Sequence, residues 1–348
     1  MFGVYEAVAG PRAESRAIDC FRGEPLMLAV RAREAGGPDV LEVVHIPPPE
    51  LKAGEILIRQ EAIGLNFIDT YQRSGLYPVR LPAVLGLEGA GIVEAVGEGV
   101  TRFRVGDRAA YAGRPGAYAE MHAVPADRAV RVPVGVPTDV AGAGLLRGMT
   151  AEFLVRRCHP VRAGETILVH AAAGGVGSIV AQWAHALGAV VIGTVGSPEK
   201  GRMARSYGCD HVILYREEIV AERVRGITGG AGVAVGYDGV GKDTFDGTLA
   251  SLAPRGMFVS FGNASGPPAP VEPQRLTRGG SLFFTRPTLF DYIATTKDLD
   301  DSAGALFAMI EAGKVRIEIG KRFPLGEARR AHEALEGRQT HGASLLVP

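Results

Sequence analysis

The stretch TILVHAAAGGVGSIVAQWAHALG, residues 166–188, constrains the fold of this chain more than any other. TILVHA is a short apolar run typical of a buried strand, and VGSIVAQWAHALG has the apolar spacing of a helix. Gly174 and Gly175 lie between them, and a third glycine, Gly177, is the second residue of the helical run. A strand that passes through glycines directly into a helix offers free N–H groups to a pyrophosphate. The stretch therefore predicts a dinucleotide site; the alternative is a tight turn that only packs a helix on a sheet.

One position of this turn departs from the usual glycine string, because Ala172 stands where the first glycine is expected. The turn needs small residues where the backbone approaches the pyrophosphate, and free N–H groups at the start of the helix. Ala172 is small and the three later glycines supply the rest. The prediction of a dinucleotide site therefore stands.

The next strand predicts which dinucleotide is bound. Chains that select NAD usually carry Asp or Glu at the end of the second strand, where the carboxylate binds the ribose 2′-hydroxyl. Here VVIGTVGSPEK places Thr194 near that point, and no acid occurs before Glu199. Lys200 follows, and its charge would attract a 2′-phosphate. The sequence therefore favours NADP(H); the alternative for Lys200 is a solvated lysine in a first helical turn.

Patterning divides the chain into four parts. Residues 1–26 have no clear period and predict a disordered leader, the alternative being a functional N-terminal arm. Residues 27–150 consist of short β-rich runs separated by Gly, Pro and Asp, which predicts a β-barrel-like domain. Residues 151–288 alternate strand and helix, which predicts a parallel sheet with right-handed crossovers. Residues 289–348 end in helices and a strand that we expect to return to the first domain.

Composition excludes several classes of protein. The formal net charge is zero, which argues against a nucleic-acid partner, since phosphate neutralisation needs surplus Lys and Arg. The longest apolar runs fall short of the roughly 18 to 20 residues of a membrane span, so no membrane association is expected. Cys20, Cys158 and Cys209 are odd in number and far apart, which is typical of reduced thiols and predicts a cytoplasmic protein.

Seven segments together carry a family resemblance: AIGLNFIDTYQRSGLYP (62–78), HAAAGGVG (170–177), GTVGSPEK (193–200), ILYREE (213–218), VSFGN (259–263), TRPTL (285–289) and HGASLLVP (341–348). From Met27 to Pro348 the chain resembles the zinc-free, zeta-crystallin-like quinone oxidoreductases of the medium-chain dehydrogenase/reductase superfamily, and among them the bacterial NADPH:quinone reductases. The resemblance implies an α/β protein with a GroES-like β-barrel catalytic domain and a Rossmann doubly wound parallel sheet. It also implies an active cleft between the two, NADPH as hydride donor, and a homodimer.

The resemblance implies roles for single residues. Asn66, Tyr71 and Tyr77 are the candidate catalytic residues beside the nicotinamide. Gly196, Ser197 and Lys200 would surround the 2′-phosphate, and Tyr215 would close over the adenosine phosphate. The implied cofactor-binding set is Asn66, Phe67, Asp69, Thr150, Gly174, Gly175, Val176, Gly196, Ser197, Lys200, Tyr215, Phe261, Gly262, Asn263, Thr285, Arg286, Pro287 and Arg338.

The chain departs from its relatives at three noted positions. Gly239 replaces a serine after YD, with the expected loss of one hydrogen bond to the cofactor. Arg147 stands where a lysine is frequent, and Phe153 replaces a tyrosine seen in some relatives. None of these removes the predicted cofactor site.

Zinc-binding members of the superfamily carry a cysteine and a Gly-His-Glu in segments where this chain has Asn66 and Leu87-Glu88. Leucine has no ligand atom and asparagine is a poor zinc ligand, so no metal site is predicted. Without a Lewis acid, alcohol dehydrogenation is disfavoured.

Hydride or electron delivery from NADPH to a small-molecule quinone needs little acid–base help and is the favoured activity. The Tyr71 hydroxyl would donate to a developing oxyanion or supply a proton through water; the alternative is that Tyr71 and Tyr77 only shape the wall. One-electron and two-electron reduction stay open.

Two rival functions remain: NADPH-dependent reduction of an enone or alkenal C=C bond, and a non-enzymatic NADPH-binding role. A β-rich run, SLFFTRPTL (281–289), would extend the sheet across a homodimer interface, or is internal.

Overall fold

The structure, a computed structural model, describes residues 26–337 and 339–348. The predicted leader therefore lies outside the described residues, apart from Leu26, and so does Arg338. Within the described part, no helix combines the length and the apolar character needed to cross a membrane.

The first half of the chain builds two antiparallel sheets. Its strands are β1 (Met27–Ala32), β2 (Leu41–Ile46), β3 (Glu55–Leu65), β4 (Ala83–Val84), β5 (Glu88–Val96), β6 (Arg108–Ala112), β7 (Met121–Pro125) and β8 (Ala129–Arg131). A small sheet has the order β2-β1-β4, and β3, β5, β6 and β8 pair in sequence in a larger one, with β7 on the other side of β3. Two helices belong to this half, α1 (Phe67–Ser74) and α2 (Thr138–Phe153).

Strand β3 shows how the sequence positions the site. Burial alternates from Glu55 to Glu61, which is the pattern of a strand with one covered face. From Ala62 to Leu65 every residue is buried, because α2 packs on this end of the strand. Gly142 of α2 permits that approach, since a Cβ there would lie 2.7 Å from the Ala62 carbonyl oxygen. The covered end of β3 leads directly into Asn66 and α1.

The second half forms a six-stranded parallel sheet. Its strands are β9 (Thr166–Val169), β10 (Val190–Val195), β11 (His211–Leu214), β12 (Val233–Asp238), β13 (Leu252–Ser260) and β14 (Phe283–Thr285). The helices between them are α3 (Gly175–Ala186), α4 (Pro198–Ser206), α5 (Val220–Ile227), α6 (Phe245–Ser251) and α7 (Pro273–Arg278). The order β11-β10-β9-β12-β13-β14 is the doubly wound dinucleotide-binding arrangement, whose direction reverses between β9 and β12.

The last segment returns to the first half. It contains α8 (Leu289–Tyr292), α9 (Thr296–Glu311), β15 (Ile319–Pro324), α10 (Ala328–Glu336) and β16 (Ala343–Val347). Strand β16 pairs antiparallel with β3 and parallel with β15, which completes the larger sheet. The predicted fold class, a GroES-like barrel joined to a Rossmann sheet, is confirmed.

The predicted division into 27–150, 151–288 and 289–348 stays a prediction. Its first boundary falls inside α2, which packs both on β3 and on α3. Strand β14 is shorter than the predicted run and lies at the edge of the parallel sheet.

Candidate active site

A cleft of about 880 Å³ runs along the carboxyl ends of the parallel strands and is closed on its other side by residues of the barrel half. Most of the predicted site residues lie in its wall: Asn66, Phe67, Tyr71, Tyr77, Thr150, Gly174, Gly175, Val176, Gly196, Lys200, Tyr215, Phe261, Gly262, Arg286 and Pro287. Asp69, Ser197, Asn263 and Thr285 are not among the residues that line this cleft. Arg338 is outside the described residues.

The glycine turn joins β9 to α3 at the middle of the cleft. Gly177 is required by close packing, since a Cβ there would lie 2.3 Å from the Ala171 carbonyl oxygen. Gly174 is the N-cap of α3, so the first N–H groups of the helix face the cleft without intrahelical acceptors. This is an anion-binding helix end of the kind that holds a pyrophosphate.

The structure explains why Ala172 is tolerated in the turn. Its side chain is fully buried and points to the neighbouring strand β10. There the facing residue is Gly193, and a Cβ at Gly193 would lie 2.7 Å from the Ala172 Cβ. The methyl group of Ala172 therefore fits against β10 because residue 193 is glycine and has no side chain. The cleft itself is unaffected by the exchange.

Thr194 stands near the end of β10, where an acid would bind a ribose hydroxyl, and its side chain contacts His170. Its hydroxyl is 3.0 Å from Nδ1 of His170, whose Nε2 lies 2.8 Å from the Thr248 hydroxyl. Burial lowers the pKa of His170 below its usual value, although the charge of Asp238 opposes this. A neutral imidazole between two hydroxyls joins Thr194 at the end of β10 to Thr248 of α6. Sequence reasoning missed His170, since a lone histidine at a strand end gives no signal of its partners.

Beyond Thr194, three side chains shape the end of the cleft that follows β10. A Cβ at Gly196 would lie 2.5 Å from the Tyr215 hydroxyl, so that residue must be glycine for the tyrosine to lie over the strand end. The Ser197 hydroxyl caps α4 by accepting from the Lys200 backbone N–H at 3.3 Å. Ser197 therefore orients the helix turn that carries Lys200 into the wall.

At the opposite end, two tyrosines of the barrel half meet two loops of the sheet half. The Tyr71 hydroxyl accepts from the Asn263 backbone N–H at 3.1 Å, and the Tyr77 hydroxyl accepts from Arg286 Nη2 at 3.0 Å. The two rings pack edge to face with centroids 5.2 Å apart. Burial raises the pKa of Tyr71 to about 12, so its hydroxyl keeps its proton at neutral pH. The end of the cleft thus presents phenolic donors.

Asn66 is held by a buried ionic cluster. Its Nδ2 donates to Oε1 of Glu88 at 2.7 Å, and the Leu146 backbone N–H donates to Oε2 at 2.8 Å. Arg147 is buried beside them and donates to the carbonyl oxygens of Ala143 and Leu65. Burial raises the pKa of Glu88, and the Arg147 charge opposes that rise. Both carboxylate oxygens accept N–H groups, which favours the ionised form.

Arg147 was noted in the sequence only as a departure from lysine. In the structure it is the counter-charge of a buried carboxylate, and a Cβ at Gly175 would lie 2.8 Å from its Nε. The side chain therefore lies directly under the glycine turn.

Asp69 lies behind Asn66 and is fully buried. Its Oδ2 accepts from the Asn66 backbone N–H at 2.8 Å and from the Tyr118 hydroxyl at 3.1 Å. Burial raises the pKa of Asp69 to about 7. Asp69 therefore stabilises the first turn of α1 through its bond to the Asn66 N–H, and it does not line the cleft.

The other two departures have packing reasons. A Cβ at Gly239 would lie 2.8 Å from the Phe261 ring, so glycine lets Phe261 lie against the end of β12. Phe153 stacks on Tyr292 with centroids 4.3 Å apart and lines the cleft.

Metal ligands are not assembled here. Leu87 is buried in the barrel core, and the Asn66 amide is bonded to Glu88. Over residues 26–337 and 339–348, no group of three or more His, Cys, Asp or Glu side chains is placed to hold a metal ion.

Comparison with known proteins identifies both halves. Residues 52–134 match the alcohol dehydrogenase GroES-like domain, and residues 175–304 match the family described as zinc-binding dehydrogenase. The chain is 53% identical to quinone oxidoreductase from Pseudomonas aeruginosa over 90% of its length and 97% of that protein. It is 44% identical to 2-haloacrylate reductase from Burkholderia sp, over 93% of this chain and 99% of that one.

A solved structure is also similar. Escherichia coli quinone oxidoreductase complexed with NADPH superposes with a TM-score of 0.90 at 45% identity, covering 92% of this chain and 100% of that one.

Proposed function

Because the chain belongs to the quinone oxidoreductase family of the medium-chain dehydrogenase/reductase superfamily, we propose that it reduces quinones with NADPH and without zinc. The observation that carries the proposal is one cleft lined by the N-terminus of α3 at its middle, by Lys200 toward one end and by Tyr71 and Tyr77 at the other. The Escherichia coli relative solved with NADPH supports the cofactor.

The residues of the cleft fit this cofactor. The glycine turn offers N–H groups for the pyrophosphate, and Gly196, Lys200 and Tyr215 surround the place of the 2′-phosphate. The implied roles of Thr150, Val176, Phe261, Gly262 and Pro287 rest on their places in the same wall. When bound, NADPH supplies the hydride.

The chain's own contribution is orientation and hydrogen bonding. Asn66, held by Glu88, lies in the wall beside Tyr71. The Tyr71 hydroxyl accepts from Asn263 and keeps its own proton for the quinone oxygen on which negative charge develops. A proton from solvent completes the hydroquinone, so each quinone takes up one hydride and one proton.

The test is oxidation of NADPH followed at 340 nm with 1,4-naphthoquinone, with NADH in a parallel series. The expected result is turnover with NADPH far faster than with NADH, at one NADPH per quinone. Semiquinones disproportionate to quinone and hydroquinone, so this ratio is the same for both mechanisms; a semiquinone signal in electron paramagnetic resonance at the first turnover would instead indicate one-electron transfer. Tight NADPH binding by fluorescence without turnover of any acceptor would support the non-enzymatic role and overturn the proposal.

A second activity has specific support, since the 2-haloacrylate reductase of Burkholderia is 44% identical. The same cleft would serve reduction of an activated C=C bond, because hydride acceptance by an electron-poor carbon creates an oxyanion that the tyrosines are placed to bind. Parallel assays with 2-chloroacrylate and 2-cyclohexenone discriminate the two, and faster turnover of either than of naphthoquinone would favour this activity.

The assembly and location belong to the same proposal. Strand β14 is at the edge of the parallel sheet, with the Phe283 side chain 57% exposed, which supports a homodimer formed at this edge. The neutral net charge supports the absence of a nucleic-acid partner, and the sparse cysteines support a cytoplasmic location.

A further inference from the structure

The acceptor end of the cleft contains a guanidinium group whose hydrogen bonds are incompletely used. Arg286 Nη1 donates to the Ser260 carbonyl oxygen at 2.9 Å and Nη2 donates to the Tyr77 hydroxyl at 3.0 Å. With the Asn263 amide oriented to satisfy both of its groups, Asn263 Oδ1 accepts from Nη2 at 3.3 Å. A guanidinium has five N–H donors. Two donors thus remain for a ligand, on a side chain that is exposed in the cleft wall.

Arg286 is placed close to the reacting end. Its charge lowers the pKa of Tyr71 against the effect of burial, so it acts on the same hydroxyl that would contact the acceptor. Its bond to Tyr77 puts it beside the second tyrosine. The guanidinium therefore lies where the distal part of an acceptor would extend from the tyrosines toward solvent.

The charged side chains of the cleft wall follow different strands of the parallel sheet. The charged side chains of the described wall are Arg147, Lys200, Glu218, Asp243 and Arg286. Arg147 donates to the carbonyl oxygens of Ala143 and Leu65, and Glu218 and Asp243 follow β11 and β12. Arg286 follows β14, the opposite edge of the sheet from β11. Arg286 is the cation of the described wall that bonds to Tyr77, and Phe261, Pro287 and Leu289 line the same cleft.

We propose that Arg286 is a specificity-determining residue that favours acceptors bearing an anionic substituent, such as a quinone with a carboxylate or sulfonate group. This rests on the proposed quinone reduction and adds the substrate class. A planar guanidinium with two free N–H groups binds such a group in a charge-assisted manner, and the bonds to Ser260 and Tyr77 hold it in place.

Arg286 has two competing roles: it could hold the two halves together through its bond to Tyr77, or it could contact the cofactor. Either would affect neutral and anionic acceptors equally. The measured quantity is therefore the ratio of kcat/KM for 1,4-naphthoquinone-2-sulfonate to that for 1,4-naphthoquinone, at saturating NADPH. Intrinsic reactivity of the two quinones cancels when this ratio is compared between proteins.

Three variants make the test specific. Arg286→Met removes the charge. Tyr77→Phe removes the hydrogen bond between Arg286 and Tyr77 and keeps the charge. Arg59→Met is the control, because it removes an exposed arginine that is paired with Glu94 on the barrel. The NADPH dissociation constant of each, measured by fluorescence, separates any cofactor effect.

The expected result is that the ratio falls about fivefold to tenfold in Arg286→Met and changes less than twofold in Tyr77→Phe and Arg59→Met. Raising the ionic strength from about 0.02 to 0.5 M should lower the wild-type ratio toward that of Arg286→Met, because exposed charges are screened. An unchanged ratio in Arg286→Met, with naphthoquinone still reduced, would overturn the inference and leave the proposed function intact. Failure of the wild type to reduce either quinone would overturn the proposed function itself.

Discussion

The backbone N–H of Asn263 donates to the hydroxyl of Tyr71 at 3.1 Å and so joins the loop after β13 to helix α1 across the cleft. The hydroxyl accepts this bond and retains its own proton, because burial raises the pKa of Tyr71 to about 12. The contact thus orients a phenol as a donor toward the place of the acceptor. The orientation of the Tyr71 hydroxyl therefore depends on the distance between the barrel half and the sheet half.

Replacement of Tyr71 by phenylalanine should lower kcat for naphthoquinone by about 100- to 1,000-fold, the range seen when one oxyanion donor is removed. The NADPH dissociation constant should change little, since the ring remains. Tyr207→Phe is the control, because the Tyr207 hydroxyl bonds to Glu318 away from the cleft wall. Equal kcat values for Tyr71→Phe and wild type would show that Tyr71 only shapes the wall.

Lys200 should determine the preference for NADPH. Lys200→Gln keeps the length of the stem and removes the charge opposite the 2′-phosphate, so kcat/KM for NADPH should fall about tenfold while that for NADH stays constant. Lys314→Gln, at an exposed site beyond α9, provides the charge-matched control. A parallel fall for both cofactors would mean that Lys200 supports the fold of the turn and not the phosphate.

The sequence predicted those parts of the site that depend on neighbouring residues. A strand, three glycines and a helix follow one another in the chain, so the dinucleotide turn could be predicted from local pattern. The partner of Tyr71 is 192 residues away, and a backbone N–H leaves no sequence signal. The pairing of Ala172 with Gly193 depends on the register of β9 against β10, which local pattern does not specify.

The contacts of the buried Asp69 side chain are a second part of the site that the sequence could not predict. The resemblance implies that Asp69 lies near the cofactor, and this stays a prediction. In α1 it is the third residue, and its carboxyl turns back to the Asn66 backbone N–H. Its contact with Tyr118 and the packing of α10 beyond could be inferred only from the tertiary structure.

Gly177 and Gly226 should respond in opposite ways to alanine. At Gly177 the Cβ would meet the Ala171 carbonyl oxygen at 2.3 Å, so the turn must move and NADPH binding should weaken by at least about tenfold. At Gly226 in α5 there is nothing within 4 Å of the Cβ, so alanine should raise the free energy of unfolding by about 0.5 to 1 kcal/mol. Fluorescence titration and urea unfolding measure the two effects. Unaltered NADPH affinity in Gly177→Ala would contradict the geometry of the turn.

The homodimer predicted at β14 depends on the exposed face of Phe283. Phe283→Glu places a charge on this edge, so the protein should dissociate to monomers in light scattering at micromolar concentration. Val134→Glu is the control, because Val134 is 97% exposed on the barrel and away from the edge. A dimer that persists in Phe283→Glu would place the interface elsewhere.

Asp69 should make the stability of the protein decline as pH rises from about 4 to about 7. Its pKa is about 7 in the folded protein, whereas the ordinary value is 3.8, so the folded state binds more protons between these values. The stabilisation is therefore complete below about pH 4 and is lost as pH rises to about 7. Since one pKa unit corresponds to about 1.4 kcal/mol, the loss is on the order of 4 kcal/mol.

Asp69→Asn provides the measurement, because the amide oxygen still accepts from the Asn66 N–H and the Tyr118 hydroxyl without a titratable proton. Urea unfolding at pH 5 and pH 8 should show the variant gaining stability relative to wild type at the higher pH. Other titrating groups are common to both proteins and cancel in the difference. Parallel pH profiles for the two proteins would mean that Asp69 is ionised in the fold, with the Arg147 charge sufficient to balance both buried carboxylates.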